Sequence, residues 1–237
     1  MVTEQISRPA FSGAYPVAEA SLYIRAVMRD LDPGQTIHRD ALDSINSRHL
    51  HYWARQGLAG QYLRGLRGSD VTLNFLDLIS LRLIAAMRSH GVSSQDIKTA
   101  HEVLQAKWRV SHPFAMQEIW VSGGDVFVRE GLDYLAVSKH WQPAFAFIER
   151  FLIRLHGITF SEDRVAQQWE PYPNVLLDPS VQFGDPCVKG TRVATEVIWS
   201  FHSAGDSVGE LARMYHLTQP QIEAAIEWER KLITARN

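Results

Sequence analysis

Apolar residues recur along this chain mainly at helical spacing. The longest such segment carries Phe75, Leu76, Ile79, Leu83, Ile84 and Met87. This spacing places the apolar side chains along one face of a helix. The segment stops at His90-Gly91, and a glycine just after the last apolar position is a common helix end. The pattern therefore predicts a helix with a buried face.

Capping residues mark the starts of further helices. Ser93 and Asp96 have the spacing of a capping box, and Val92 and Ile97 stand at the positions of a hydrophobic staple. Segments of the same form begin at Ser207 and Thr218. These signals predict a helix after Ser93. They also predict three C-terminal helices, over Glu196–Ala204, Val208–Tyr215 and Gln219–Ile233.

The middle of the chain contains β-rich runs. Ile119–Val121 and Val126–Val128 flank a Gly-Gly pair, which predicts a tight hairpin. A helical pattern then extends from Phe145 to Leu155 and ends at Gly157. Pro171 and Pro173 indicate a domain boundary.

The expected fold class is mainly α with small β elements. We predict an N-terminal helical domain with a β-hairpin over residues 1–170. A small domain of one short strand and three helices is predicted over residues 171–237.

Composition adds few constraints. Of the 237 residues, 46% are hydrophobic and 21% charged, as in ordinary soluble proteins. The 24 basic and 26 acidic residues nearly balance, so any nucleic-acid site must be local. The single cysteine, Cys187, excludes an intramolecular disulfide and fits a reducing compartment. No apolar run approaches the ~20 residues that span a bilayer, and no secretory signal is evident. We expect a cytoplasmic protein without membrane contact.

One stretch is locally basic. Between Asp43 and Asp70 the chain has no carboxylate, yet it carries Arg48, Arg55, Arg64 and Arg67. We predict a short helix capped by Ser47 and ended by Gly57. Its apolar side would consist of Leu50, Trp53 and Ala54, and it would pack on the helix from Phe75 and on apolar residues near Val17. Its other face would present Arg48, His51, Tyr52 and Arg55. The glycine-rich segment that follows would form a wing that carries Arg64 and Arg67.

This order of elements, over roughly residues 15–105, is similar to the MerR-like winged helix-turn-helix. Ser47–Leu58 falls where that family has its recognition helix, and Phe75–Ile97 matches its next helix pair. The resemblance implies that Arg48, His51, Tyr52 and Arg55 approach DNA in the major groove. Arg64 and Arg67 would bind phosphate or enter the minor groove. The link from the first helix to Ser47 is longer than in the family. Either the first helix lies elsewhere or an insertion occupies the turn. A solvated or partner-facing surface is the alternative for the basic face.

The segment from Asp178 to Arg192 has the form D-P-x(4)-G-x-P-x-V-x-G-T-R. Pro186 fixes its own φ and keeps Asp185 out of the helical region. Gly184 and Gly190 permit positive φ on either side of a short strand. The residues thus predict a kinked, rigid segment that leads into a helix, with Thr191 and Arg192 just before it.

This motif, within roughly Asn174–Ala235, resembles a small "domain of unknown function" family. That family is found in bacterial antitoxins, which are commonly encoded beside PIN-type toxin ribonucleases. The resemblance implies a VapB-like antitoxin that neutralises a PIN-type ribonuclease and binds operator DNA as a dimeric autorepressor. The family motif residues would serve structure or partner contact: Gly184, Pro186, Gly190, Thr191 and Arg192.

The last helix carries Glu223, Glu227 and Glu229, which would oppose phosphate. We therefore expect it to mediate self-association or toxin contact rather than DNA binding. Trp199, Phe201 and Trp228 would be either interface anchors or core residues.

No residue pattern indicates catalysis, a metal site or a cofactor. The ten histidines lack metal-ligand spacing, and Cys187 is expected to pack as a small apolar residue. A stand-alone MerR-like transcriptional regulator remains the alternative, with an effector pocket near the hairpin. An enzyme such as a nuclease is the rival from another class.

Overall fold

The computed structural model describes residues 13–28, 45–59, 63–64, 71–89, 92–116, 119–122, 125–130, 133–136, 142–144 and 157–236. For residues 63–64 and for the strands between 119 and 144, it defines the backbone pairing.

The described residues of the N-terminal part form four helices and a small sheet. The helices are α1 (Val17–Met28), α2 (Ser47–Arg55), α3 (Phe75–Ser89) and α4 (Ser94–Trp108). The strands are β1 (Tyr15–Pro16), β2 (Leu63–Arg64) and β3 (Val71–Leu73), paired antiparallel in the order β1-β3-β2. Since β1 leads directly into α1 and β3 into α3, this sheet fixes where both helices begin.

The middle of the chain forms an antiparallel meander. Its strands are β4 (Ile119–Ser122), β5 (Asp125–Glu130), β6 (Asp133–Ala136) and β7 (Gln142–Ala144), in sequential order. Ser122 pairs with Asp125 at the end of the first hairpin, which confirms the predicted β-hairpin. The helix predicted over Phe145–Leu155 lies outside the described residues.

The C-terminal part is a third sheet followed by three helices. The strands are β8 (Ile158–Phe160), β9 (Ala166–Tyr172), β10 (Val175–Leu177) and β11 (Cys187–Val188), in the order β11-β10-β9-β8. The helices are α5 (Thr195–Ala204), α6 (Val208–Tyr215) and α7 (Gln219–Arg236). The three predicted C-terminal helices are confirmed, each within three residues at either end. The boundary predicted between residues 170 and 171 falls inside β9.

Two hydrophobic clusters form the interior of the part of the chain that the structure describes. The larger contains residues of α1, α3 and α4 together with Trp169 of β9 and Trp228 of α7. The Arg82 guanidinium of α3 lies 4.7 Å from the centre of the Trp169 ring. The smaller cluster joins Val188, Ile198, Leu211, Ile222, Ala225 and Ile226. Helix α7 thus contributes one face to each cluster, and the larger cluster includes residues from both predicted domains.

The cap chemistry agrees with the sequence at two helix starts. Ser93 accepts the Asp96 amide at the start of α4, with Val92 and Ile97 buried beside it. Ser207 and Glu210 form a reciprocal capping box at the start of α6. The glycine end expected at His90-Gly91 lies outside the described residues.

The fold is mainly α with small antiparallel β elements, as predicted. Within the described ranges, every helix is too short or too polar to cross a lipid bilayer.

Candidate nucleic-acid interface

Helix α2 has sharply defined ends. Its N-cap is Asn46, whose side-chain oxygen accepts the His49 amide at 3.1 Å. The prediction of Ser47 as the cap is therefore wrong by one residue, because Asn46 adopts the extended backbone that a cap requires and Ser47 is already helical. At the other end, Gly57 has a φ of +77°. The Gly57 amide donates to Ala54 and the Leu58 amide to Trp53, so Leu58 folds back as predicted.

One side of α2 is anchored in the core. Leu50, Trp53 and Ala54 are buried, and the helix packs against α1 and α3. The predicted docking of this short helix on its neighbours is confirmed. Helix α1 is in direct contact with α2, and residues 29–44 between them lie outside the described residues.

The opposite side of α2 carries the predicted basic face. Arg48, Tyr52 and Arg55 are exposed, Tyr52 to 56%, whereas His51 is half-buried. The spacing i, i+3, i+4, i+7 aligns these four side chains along about 10 Å of one face. Within the described part of the chain, neither arginine forms an ion pair. Both arginines thus lie on the exposed side of the helix.

The predicted wing is only partly described. Arg64 ends β2 and pairs with Val71 of β3, which places the strand pair directly after α2 in the chain. Arg67 lies outside the described residues. The structure therefore brings Arg48, His51, Tyr52 and Arg55 together and leaves the distance from them to Arg64 and Arg67 open.

The C-terminal motif residues mostly serve the backbone. The buried Pro186 carbonyl accepts the Thr195 amide at 2.9 Å, which fixes the start of α5. Gly190 has a φ of +80°, and the Thr191 hydroxyl donates to the Val188 carbonyl at 2.8 Å to close the turn. Arg192 is exposed. Among the motif residues singled out, Arg192 alone projects a functional group to solvent.

Gly184 has a different role, which depends on a residue that sequence reasoning missed. The Tyr15 hydroxyl donates to the Gly184 carbonyl at 3.1 Å, and the Ala14 amide donates to the Phe183 carbonyl at 3.0 Å. A Cβ on Gly184 would lie 2.0 Å from the Tyr15 hydroxyl oxygen. No local pattern links positions this far apart in the chain. Tyr15 is almost fully buried, and that burial raises the pKa of its phenol.

Carboxylates gather where α1, α5 and α7 meet. Glu19 of α1 accepts the Tyr23 hydroxyl, and Glu229 of α7 accepts the Thr195 hydroxyl. Burial raises the pKa of both Glu19 and Glu229, and the negative charge of Glu196 raises both further. Arg236 opposes this effect at both sites. The surplus of negative charge makes this region unsuited to phosphate.

A second polar group lies at the start of α3. The imidazole Nε2 of His112 is 2.9 Å from the buried Asp77 carboxylate, and Nδ1 is 2.8 Å from the Ser111 hydroxyl. Asp77 also accepts the Asn74 amide, while the Asn74 side chain accepts the Asp77 amide. Burial raises the pKa of Asp77, and the hydrogen bonds from His112 and Asn74 act in the opposite direction. The group ties the segment after α4 to the first turn of α3.

Cys187 is buried in β11, and that burial raises the pKa of its thiol to about 11. The reactive thiolate is therefore scarce at neutral pH. Among the described residues, no three His, Cys, Asp or Glu side chains are arranged to hold a metal ion.

The C-terminal geometry coincides with a known family. Residues 175–228 match the model of a protein family of unknown function, DUF433. The chain carries a DUF433 domain at its C-terminal end. That domain begins at β10 and includes the motif turn, α5, α6 and the first half of α7.

Among solved structures, the chain is similar to that of Rv2018 from Mycobacterium tuberculosis, an X-ray crystal structure. The TM-score is 0.60 at 21% sequence identity, over 90% of this chain and 96% of that chain. At this identity the similarity concerns the fold alone, but it extends well beyond the DUF433 domain. None of the curated proteins matches the chain.

Proposed function

We propose that this protein is an antitoxin that binds operator DNA through α2 and neutralises a PIN-type ribonuclease through its DUF433 domain. The observation that carries the DNA part is the exposed α2 face, with Arg48, Tyr52 and Arg55 in line on a helix whose other side is buried. A short helix held in this way presents its outer face as a rigid unit, which groove recognition requires.

The elements around α2 add support. The β2–β3 strand pair follows α2 directly and is joined to β1, so the segment that carries Arg64 belongs to the same small sheet as the start of α1. Arginines at this position can contact phosphates while α2 lies in the groove. The described order of helix, helix, strand pair and helix is similar to that of a winged helix-turn-helix, which supports the proposal.

The ribonuclease part is supported by the apolar surface of the DUF433 domain. Val197 and Phe201 of α5 are exposed to about 40%, and Met214 of α6 to 53%. Phe201 lies 6.3 Å from Tyr215, so α5 and α6 share this aromatic and aliphatic surface. Exposed aromatic and methionine side chains are enriched at protein interfaces. A partner that covers this surface would act by occlusion, without chemistry on the part of the antitoxin.

The DNA proposal predicts a defined loss in the double variant Arg48→Ala/Arg55→Ala. Each lost phosphate contact lowers the slope of log K against log salt by about 1, so the slope should fall by about 2. The probe is a duplex from the region upstream of the protein's own coding sequence, and the readout is fluorescence anisotropy at several salt concentrations.

The matched control is Arg213→Ala/Arg230→Ala. It removes the same charge from exposed positions on α6 and α7. Equal losses in the two double variants would mean that only net charge matters, which would overturn the assignment of α2.

The ribonuclease proposal predicts a separation of the two activities. The variant Phe201→Ser/Met214→Ser should lose inhibition of RNA cleavage by the nuclease encoded in the neighbouring reading frame, by about tenfold or more. Its DNA affinity should be unchanged. The Arg48→Ala/Arg55→Ala variant should show the reverse. A DNA affinity that responds to a small molecule, with no effect on the nuclease, would instead support a ligand-sensing regulator.

A further inference from the structure

The turn before β11 adopts a strained backbone. Gln182, Phe183 and Gly184 have φ values of +47°, +56° and +95° in succession. Residues other than glycine rarely adopt this region, and a strained conformation persists only where the surrounding structure imposes it. Phe183, at the tip, is 67% exposed, more than any other large apolar side chain in the described ranges.

The N-terminal segment contacts this turn directly. It binds the turn twice, from the Ala14 amide to Phe183 and from the Tyr15 hydroxyl to Gly184. A third hydrogen bond, from the Gln182 side chain to the Arg192 carbonyl, comes from within the DUF433 domain. Two more bonds close the turn itself, from the Gly184 amide to the Val181 carbonyl and from the Asp185 amide to the Gln182 carbonyl. The two bonds from the segment that precedes α1 therefore link the turn to a distant part of the chain.

The same tyrosine belongs to the sheet that includes β2, the strand that follows α2 in the chain. Tyr15 pairs with Leu73 of β3, and β3 pairs with Leu63 and Arg64 of β2. The Tyr15 ring also lies 6.5 Å from the ring of Phe75, the first residue of α3. A displacement of Tyr15 therefore moves the central strand of the sheet that carries Arg64.

We propose that Tyr15 couples the turn Gln182–Gly184 to the sheet β1-β3-β2, so that a contact made at Phe183 changes the affinity of the DNA-binding unit. This regulation deepens the proposed function and rests on it. The coupling is reciprocal, because a link that transmits binding energy in one direction transmits it in the other. Phe183 lies in the DUF433 domain, to which the proposed function assigns the ribonuclease. The ribonuclease would therefore act at this turn as well as at the α5–α6 surface, and DNA would act at the sheet.

Gly184→Ala and Gly190→Ala form a matched pair for the test. Both glycines have φ near +90°, so alanine strains the backbone at each position. A Cβ at position 184 collides with the Tyr15 ring and hydroxyl, whereas at position 190 it meets nothing within 4 Å. The readout is amide hydrogen exchange in peptides that cover Val71–Leu73 of the free, full-length protein. We expect Gly184→Ala to accelerate this exchange about fivefold or more relative to Gly190→Ala.

A second pair of variants, Tyr15→Phe and Tyr23→Phe, tests the coupling from Tyr15 to the turn. These substitutions are less disruptive, so the test stands even if Gly184→Ala misfolds. Tyr15→Phe removes only the hydroxyl and should accelerate exchange at Gly184 and Asp185. Tyr23→Phe removes a hydroxyl that is also in a largely buried position and is bonded to Glu19 instead. It should leave the turn unchanged. Circular dichroism establishes that each variant is folded.

Two outcomes would overturn the coupling: equal exchange of Val71–Leu73 in the glycine pair, or equal exchange of the turn in the tyrosine pair. Neither measurement involves DNA, so each decides the coupling even where the proposed function fails. Anisotropy with the upstream duplex then tests the function separately. We expect about fivefold weaker DNA binding by Gly184→Ala than by Gly190→Ala.

Discussion

Asp77 shows how one buried carboxylate can organise distant backbone. Its oxygens accept from the Asn74 amide and from His112, which lies beyond the whole of α4. The sequence offers no sign of this pair, because neither residue lies in a recognisable motif. A buried charge is stable only when hydrogen bonds replace its lost hydration. The imidazole supplies one of those bonds.

We predict that His112→Ala destabilises the protein by about 2 kcal/mol, since the Asp77 carboxylate stays buried with one donor fewer. Ser111→Ala should cost less than about 0.5 kcal/mol, because the serine touches the same ring from the exposed side. Urea denaturation of both variants measures the difference. Equal losses would mean that the imidazole contributes little beyond its packing.

Single residues were predicted well where the signal was local. The capping residues Ser93 and Ser207, and the glycine end of α2, follow from spacings of a few positions. Asn46 and Ser47 are both favourable N-cap residues. The choice between them depends on how α2 packs against the core, which sets the residue at which the helical backbone begins. Tyr15 could not be predicted as the partner of Gly184, since packing rather than pattern brings them together.

At the scale of elements, helix α7 packs in both hydrophobic clusters, through different residues. Ile222, Ala225 and Ile226 pack in the smaller cluster, whereas Trp228 and Leu232 pack in the larger. The fold itself buries these apolar residues, so the expected self-association or toxin contact of this helix stays a prediction that would have to use its exposed residues. Phe201 and Trp199 differ from Trp228: Phe201 is exposed, and Trp199 is half-buried against the smaller cluster.

The carboxylates of α1 and α7 predict a definite pH dependence. The pKa of Glu229 is raised above its ordinary value of 4.5 in the folded protein, so the folded state retains a proton that the unfolded chain releases. The contribution of Glu229 to stability is therefore complete below pH 4.5 and is lost as the pH rises through the folded pKa.

Glu229→Gln should consequently be more stable than the wild type at pH 7 to 8, by roughly 0.5 kcal/mol, and no more stable at pH 4. Thermal melts across this pH range measure the difference between the two proteins. Glu223→Gln, an exposed position on the same helix, serves as the control and should show no such trend. A stability difference independent of pH would contradict the assignment.

At the scale of the whole molecule, one hydrophobic cluster includes both sides of the predicted domain boundary. Trp169 stands before the boundary and Trp228 after it, and the Trp228 ring lies 6.0 Å from that of Tyr23 in α1. The two prolines that indicated a boundary lie at the end of β9 and in the turn that leads to β10. Proline also breaks a strand pattern at such a position, so the boundary stays a prediction.

A fragment of residues 1–170 should therefore fail to unfold cooperatively. It lacks β10, which pairs with β9, and α7, which covers Tyr23 and the inner face of α1. We expect dye binding that indicates exposed apolar surface, and a broad thermal transition in place of a sharp one. A sharp transition by both circular dichroism and fluorescence would establish residues 1–170 as an independent domain.

The lone cysteine has a practical consequence at this scale. Cys187 lies in the two-residue edge strand β11, is 3% exposed, and pairs with Leu176 of β10. A thiol reagent can reach Cys187 only while β11 is detached from β10. The labelling rate therefore measures how often these two strands separate. The labelling rate of Cys187 in the wild-type chain therefore reports local opening, and it can be measured with and without each binding partner.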